Sequence, residues 1–242
     1  MITLSIDTSA TSASIGLFKK VNESYEQLFL KSWKKERSHS EVITSYFIEA
    51  LNQNNLNTED LNLICLGKGP GSFTGIRVAL NFAKTISYSH NIPIYAINSL
   101  APLAFKNREL HSQILVLNNA FRNMIYGSAY SCSPFTEIHQ PFAKEPGKLS
   151  SFISNFNNTD PILVIGNAFS LYKNLFTKLD LDRFITNEKS DSNVCAKSIF
   201  DYYLQDKGPA TCKWNEVLPL YIRGSEAEEK LKLKLSNNQR NN

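Results

Sequence analysis

The sequence predicts an α/β protein built from two similar rounds, each running through an antiparallel meander, a helix, a strand, a glycine-bearing turn and a second helix. Three observations carry this. Ile2, Leu4 and Ile6 alternate with Thr3 and Ser5, the period-two pattern of a half-buried strand, and a turn through Asp7, Thr8 and Ser9 leads back into Ala13, Ile15 and Leu17. Short continuous apolar runs at residues 61–66, 92–97 and 161–165 suit strands covered on both faces. From Ser112 the same order of patterns begins again with different residues, so the architecture is duplicated and the sequence is not.

Residues 25–33 extend the first meander as a third strand. A helix over 40–51 follows, with Ser38 or Ser40 as its N-cap and Glu41 in its first turn. Val42, Tyr46 and Ala50 form one row at i+4, and Ile43, Phe47 and Leu51 form the neighbouring row, with Ile48 away from both. After strand 61–66 come Gly67, Gly69, Gly71 and Gly75, four of the ten glycines of the chain. A second helix over 76–89 has Ile76, Ala79, Leu80, Ala83 and Ile86 on one face and Val78, Phe82 and Thr85 well round from it. A helix apolar on more than one side needs more than one packing partner. The sheet supplies one, and the first helix or another subunit must supply the other; Ala79 and Ala83 permit close approach. Strand 92–97 and a short helix over 99–105 complete the round.

The second round reads as strand 113–119, a turn, strands 124–131 and 136–142, a helix over 148–155, strand 161–165 and the turn Gly166-Asn167-Ala168. A helix to about 179 follows, and a last one from about 193 to 204 stops at Lys207-Gly208-Pro209. The apolar pattern thins at 99–112, which sets the expected division: an N-terminal lobe over 1–105, a C-terminal lobe over 106–224 and a tail over 225–242.

A net charge of +4 on 242 residues is too small to announce nucleic-acid binding, and the lysines are scattered along the chain. Cys65, Cys132, Cys195 and Cys212 lie far apart without a C-x-x-C, the first residues alternate as a strand does, and no apolar run reaches the ~20 residues needed to cross a bilayer. A reducing, cytoplasmic setting without membrane contact is expected. No two of His39, His90, His111 and His139 are three or four residues apart, which excludes a helical zinc or iron motif.

The glycine-rich stretch is the clearest motif. Its spacing fits neither the Walker loop, since Gly71 and Gly75 fall one residue short, nor the dinucleotide fingerprint, since Gly69, Gly71 and Gly75 are spaced G-x-G-x-x-x-G. Glycines before a helix serve an anion or a close backbone approach, and both readings stay open for Asp7, Gly69, Gly71, Ser72, Thr74, Gly75 and Arg77. Asp7 at a strand end before a Thr/Ser turn suits either a magnesium-phosphate site or an Asx turn to backbone N–H groups. Ser72 has no base placed by sequence, so a nucleophile pair has little support.

Taken together, Ile6-Asp7-Thr8-Ser9, Ser38-His39-Ser40-Glu41, the stretch from Gly67 to Arg77, Ala83-Lys84, Asn98-Ser99-Leu100 and Pro219-Leu220-Tyr221-Ile222-Arg223 resemble the TsaB (YeaZ) family. The match is dense over 1–105, sparse over 106–213 and returns near Pro219. The resemblance implies a fold of the actin, Hsp70 and sugar-kinase type (ASKHA), with two ribonuclease-H-like lobes. It implies a subunit that is not an enzyme by itself: a non-catalytic activator of a TsaD-like transferase that places threonylcarbamoyl on the adenosine beside the anticodon of tRNA. A TsaE-like ATPase joins them, ATP and metal belong to those partners, and tRNA is met through the complex. The helix pair then becomes the expected partner interface, through Val42, Ile43, Tyr46, Phe47, Ala50, Ile76, Ala79, Leu80 and Ala83, and a homodimer can use the same surface. In TsaD-like relatives an H-x-x-x-H pair after the strand equivalent to 92–97 holds a metal; here that stretch is Asn98-Ser99-Leu100-Ala101-Pro102-Leu103, so no metal is expected. The family's D-A-R-R in the second lobe is replaced by Asn119-Ala120-Phe121-Arg122. A stand-alone ATP-dependent enzyme of the sugar-kinase class, using Asp7 and Gly166-Asn167-Ala168, is the alternative, and a metallopeptidase is the weakest.

Overall fold

Alternation in the first strand predicts one wet face, yet every residue of β1 (Ile2–Asp7) is buried. The reason is its position. In a computed structural model, which describes residues 1–22, 24–34, 39–120, 122–149, 156, 160–188, 190, 195–205 and 211–224, β1 is the central strand of a sheet with helices on both faces. It pairs antiparallel with β2 (Ser12–Val21), which pairs with β3 (Ser24–Lys34). On its other side it runs parallel to β4 (Leu61–Gly67), and β4 is parallel to β5 (Ile94–Ile97). The polar residues on its second face find partners there: the Ser5 hydroxyl donates to the Ala196 carbonyl at 2.7 Å.

The second sheet repeats this order. β6 (Gln113–Asn119) pairs antiparallel with β7 (Ile125–Cys132), β7 with β8 (Phe135–Lys144), and β6 runs parallel to β9 (Ile162–Ile165). A two-residue strand, β10 (Phe184–Ile185), adds to β9 and is too short for the sequence pattern to reveal. The two sheets therefore have matching strand orders, β3-β2-β1-β4-β5 and β8-β7-β6-β9-β10.

Helices α1 (His39–Gln53) and α2 (Phe73–His90) cover the outer face of the first sheet. α2 begins three residues earlier than its apolar rows predict, because the Ser72 hydroxyl accepts the Gly75 N–H at 3.2 Å and draws Thr74 and Gly75 into the first turn. Its C-cap is Asn91, in the left-handed region at φ 55°. The helix expected to run to 179 is broken into α4 (Ala168–Tyr172), a 3-10 turn and α5 (Lys178–Arg183). Ser38, Phe121, residues 150–155, the start of the last helix near 193, the stop at 207–209 and the tail 225–242 lie outside the described residues.

Between the two sheets lies a shared core, holding α3 (Ala101–Lys106) and α6 (Ala196–Gln205). Here the helices do not follow the chain order of the sheets they cover. α3 precedes the second sheet and packs on β6 and β7, whereas α6, late in the chain, packs on β1, β2 and β4. Phe200 of α6 stacks on Phe18 of β2 at 4.3 Å, and Tyr203 meets Tyr95 of β5 edge-on at 5.0 Å. The chain then bridges β5 at Cys212, so its end belongs to the first lobe in space.

Candidate functional site

The glycine turn and the Asp7 turn close on each other at the ends of β1 and β4. The Ser72 N–H donates to the Ser9 carbonyl at 2.6 Å, and the Thr8 hydroxyl donates to the Gly75 carbonyl at 2.5 Å. A β-carbon at Gly71 would collide with the Ser9 carbonyl oxygen, and one at Gly75 with that of Thr8. Gly69 has a φ of 98° and exchanges hydrogen bonds with Ser99: its N–H donates to the Ser99 hydroxyl at 3.2 Å and its carbonyl accepts the Ser99 N–H at 2.7 Å. The glycines are thus used for backbone approach and a left-handed turn.

Asp7 sits beneath this seam and is 1% exposed. Its Oδ1 accepts both the Ser9 N–H, at 2.7 Å, and the Ser9 hydroxyl, at 2.6 Å, which is an Asx turn. Oδ2 has no hydrogen-bond partner, and a β-carbon at Gly67 would strike it. Burial pushes the Asp7 carboxyl above the usual range; Ser9, and the Ser99 hydroxyl lying nearby, ease the charge only in part. A magnesium-phosphate group needs an ionised carboxylate with room in front of it. The residues present do not fit one: the carboxylate is shut in, Ser72 is spent as a cap, and the N–H groups of Gly69, Ser72 and Gly75 donate within the seam.

Thr74 is exposed on the first turn of α2. Arg77 lies with its guanidinium over Phe73, 4.1 Å from the ring centre, and its Nε donates to the Tyr221 hydroxyl at 3.1 Å, so it packs rather than pointing at an open cradle. The anion-contact residues are brought together, but as a closed structural seam.

The nine expected interface residues divide by burial within the chain. Ile43, Phe47, Ala50, Ile76, Ala79, Leu80 and Ala83 are buried in the chain's own core, while Val42 and Tyr46 are half-buried. The rows that look most interface-like in sequence are those that hold the helices to the sheet. Outside those rows, on the side away from Phe73 and Tyr88, Ile48 is 51% exposed, Val78 and Phe82 are half-buried against the core, and Thr85 is exposed. Phe82 meets Phe47 edge-on at 5.4 Å, so the second packing partner of α2 is α1.

The segment from Val217 to Arg223 has a role its residue types alone do not suggest. The Leu220 N–H donates to the Lys68 carbonyl at 2.8 Å, Tyr221 stacks on Phe73 at 4.5 Å, and Arg223 donates to the Ala120 carbonyl at 2.7 Å. It therefore ties the glycine turn of the first lobe to the Asn119-Ala120 turn of the second. In that turn Asn119 is itself held: its N–H donates to Asn167 at 2.8 Å and its Oδ1 accepts the Tyr172 hydroxyl at 2.7 Å. In the stretch 98–103, the Asn98 Oδ1 accepts the N–H groups of Leu100 and Ala101, and Leu100 and Leu103 are core residues. Among the described residues, no three His, Cys, Asp or Glu side chains gather as a metal site.

Two meander-led lobes with matching strand orders and a shared helical layer define a protein of the actin, Hsp70 and sugar-kinase class, with duplicated ribonuclease-H-like lobes. The family model for TsaD, the tRNA N6-adenosine threonylcarbamoyltransferase, matches residues 34–239. A Bacillus subtilis protein named tRNA threonylcarbamoyladenosine biosynthesis protein TsaB is 30% identical over 95% of this chain and 97% of its own length. TsaB of Buchnera aphidicola from Schizaphis graminum is 34% identical over 53% of this chain and 60% of its own. In fold, the chain is similar to YeaZ from Pseudomonas aeruginosa, with a TM-score of 0.73 at 17% identity over 91% of this chain and 99% of that one. The chain belongs to the TsaB family.

Proposed function

We propose that the chain is a non-catalytic subunit of tRNA threonylcarbamoyladenosine biosynthesis, which binds a TsaD-type transferase and activates it on the adenosine beside the anticodon. The observation that carries this is the helix pair α1–α2: its inner rows are used up in the core, and it still presents the apolar rim Ile48, Val78 and Phe82 outward. The pathway comes from the relatives' names. A contact of about 1,600 Å² in total would be an ordinary size for such an interface. A second copy uses the same rim when the transferase is absent. In this reading a TsaE-like ATPase joins the pair, ATP and metal reside on those partners, tRNA is engaged by the complex, and the assembly works in the cytoplasm.

Tagged chain is expressed with a TsaD-type transferase and purified from extract. Co-purification is expected, together with its loss in Ile48→Arg combined with Thr85→Arg, at an unchanged circular dichroism spectrum. An intact complex in that double variant would remove the rim from the interface. The sugar-kinase reading lacks support at Asp7, whose carboxyl is buried and raised in pKa; micromolar ATP-magnesium binding to the isolated chain in calorimetry would restore it.

A further inference from the structure

A second flank of α2, away from the apolar rim, gathers cations and aromatic rings that the sequence scatters. Phe73, Arg77, Lys84 and Tyr88 recur on one side of the helix, at steps of four, seven and four residues. From Phe73 to Tyr88 this side is about 22 Å long. The chain's late segment runs along it in the opposite direction, since Trp214 meets Tyr88 edge-on at 5.1 Å and Tyr221 stacks on Phe73 at the other end. α2 contains no acidic residue in its 18. Residues 211–224 contain one, Glu216, and its carboxylate accepts the Lys213 N–H at 2.8 Å. Burial, and next the Glu216 carboxylate, push the Cys212 thiol up, while Lys68 and Lys84 both lie near enough to oppose them. The rings are open at this surface: Tyr88 is 68% exposed, Trp214 40% and Tyr221 38%.

Exposed rings interleaved with cations on an acid-poor strip are the pattern that binds unpaired nucleic acid, bases stacking on the rings and phosphates meeting the cations. We propose that this flank is an RNA-contact surface, which holds an unpaired segment of the tRNA substrate directly on this chain. The proposal rests on the pathway reading above but not on the helix-pair interface, which uses a different side of α2. A protein partner with an acidic surface is the competing occupant, and the test separates the two.

The full-length chain is titrated into a fluorescein-labelled anticodon stem–loop RNA and followed by anisotropy at several salt concentrations, with the emission of Trp214 recorded in a Trp33→Phe background. We expect saturable binding that weakens as salt rises. The double variant Lys84→Glu, Lys213→Glu should bind about tenfold or more weakly, because it reverses two phosphate contacts. Trp214→Ala should weaken binding several-fold, and RNA should quench Trp214 as a base stacks on it. Each variant is checked by circular dichroism and by capture of the TsaD-type transferase, both expected to be unchanged. Absence of binding at low salt would overturn the proposal, as would binding indifferent to the charge reversal. So would loss of transferase capture in these variants with RNA binding intact, which would assign the flank to a protein.

Discussion

Asp7 shows how far one carboxylate can depart from its motif. In sequence it suits a metal-phosphate site and an Asx turn equally; only burial separates them, and burial depends on Gly67 and Ser99, distant in sequence. Its raised pKa fixes a sign. The folded chain holds the proton more tightly than the unfolded chain, so stability falls as pH rises from the unfolded value of about 3.8 up to the higher folded value. Asn keeps the oxygen that accepts from Ser9 and removes the charge. Asp7→Asn should therefore melt at the same or a higher temperature at pH 7, with a flatter dependence on pH above 4, as scanning calorimetry can measure. A lower melting temperature at pH 7 would mean that the ionised carboxylate is stabilising. Gly75→Ala has the opposite expectation. Its methyl group meets the Thr8 carbonyl, so we expect a loss of about 1–3 kcal/mol, read from the urea midpoint.

Among the elements, α2 was legible in existence and incomplete in meaning. Its apolar rows identify a helix and predict two packing partners, which the sheet and α1 supply. Those rows do not reveal which side is left over, because an interface row and a core row have the same composition. Ala79 is the useful case. It is fully buried, so Ala79→Arg would place an unpaired charge in the core and unfold the chain rather than simply detach a partner. Circular dichroism of that variant should show lost helix, whereas Ile48→Arg should retain the wild-type spectrum. The start of α2 was also hidden. An apolar count begins at Ile76, but the Ser72 cap fixes the first turn at Phe73.

On the scale of the whole molecule, the duplication was readable because each round repeats the same strand and helix periods. The exchange of helices between the lobes was not, since hydrophobic periodicity says that a helix is covered and not by which sheet. α6 fills the inner face of the first sheet against Phe18 and Tyr95, and residues 217–223 return to the glycine turn. Two consequences follow. Residues 1–105 expressed alone should lack a cover for that face, giving a product that binds ANS and shows no cooperative melting. The intact chain should unfold in one calorimetric transition, because neither lobe has a complete core without the other's segments. What this joined molecule does for a partner is read in a reconstituted reaction. tRNA is incubated with ATP and a threonylcarbamoyl donor, with the TsaD-type transferase and TsaE-like ATPase present, with and without this chain, and threonylcarbamoyladenosine is measured by mass spectrometry of the digested tRNA. We expect product only when the chain and the transferase are both present. Product from the chain without the transferase, or from the transferase equally well without the chain, would contradict its role as the activating, non-catalytic subunit.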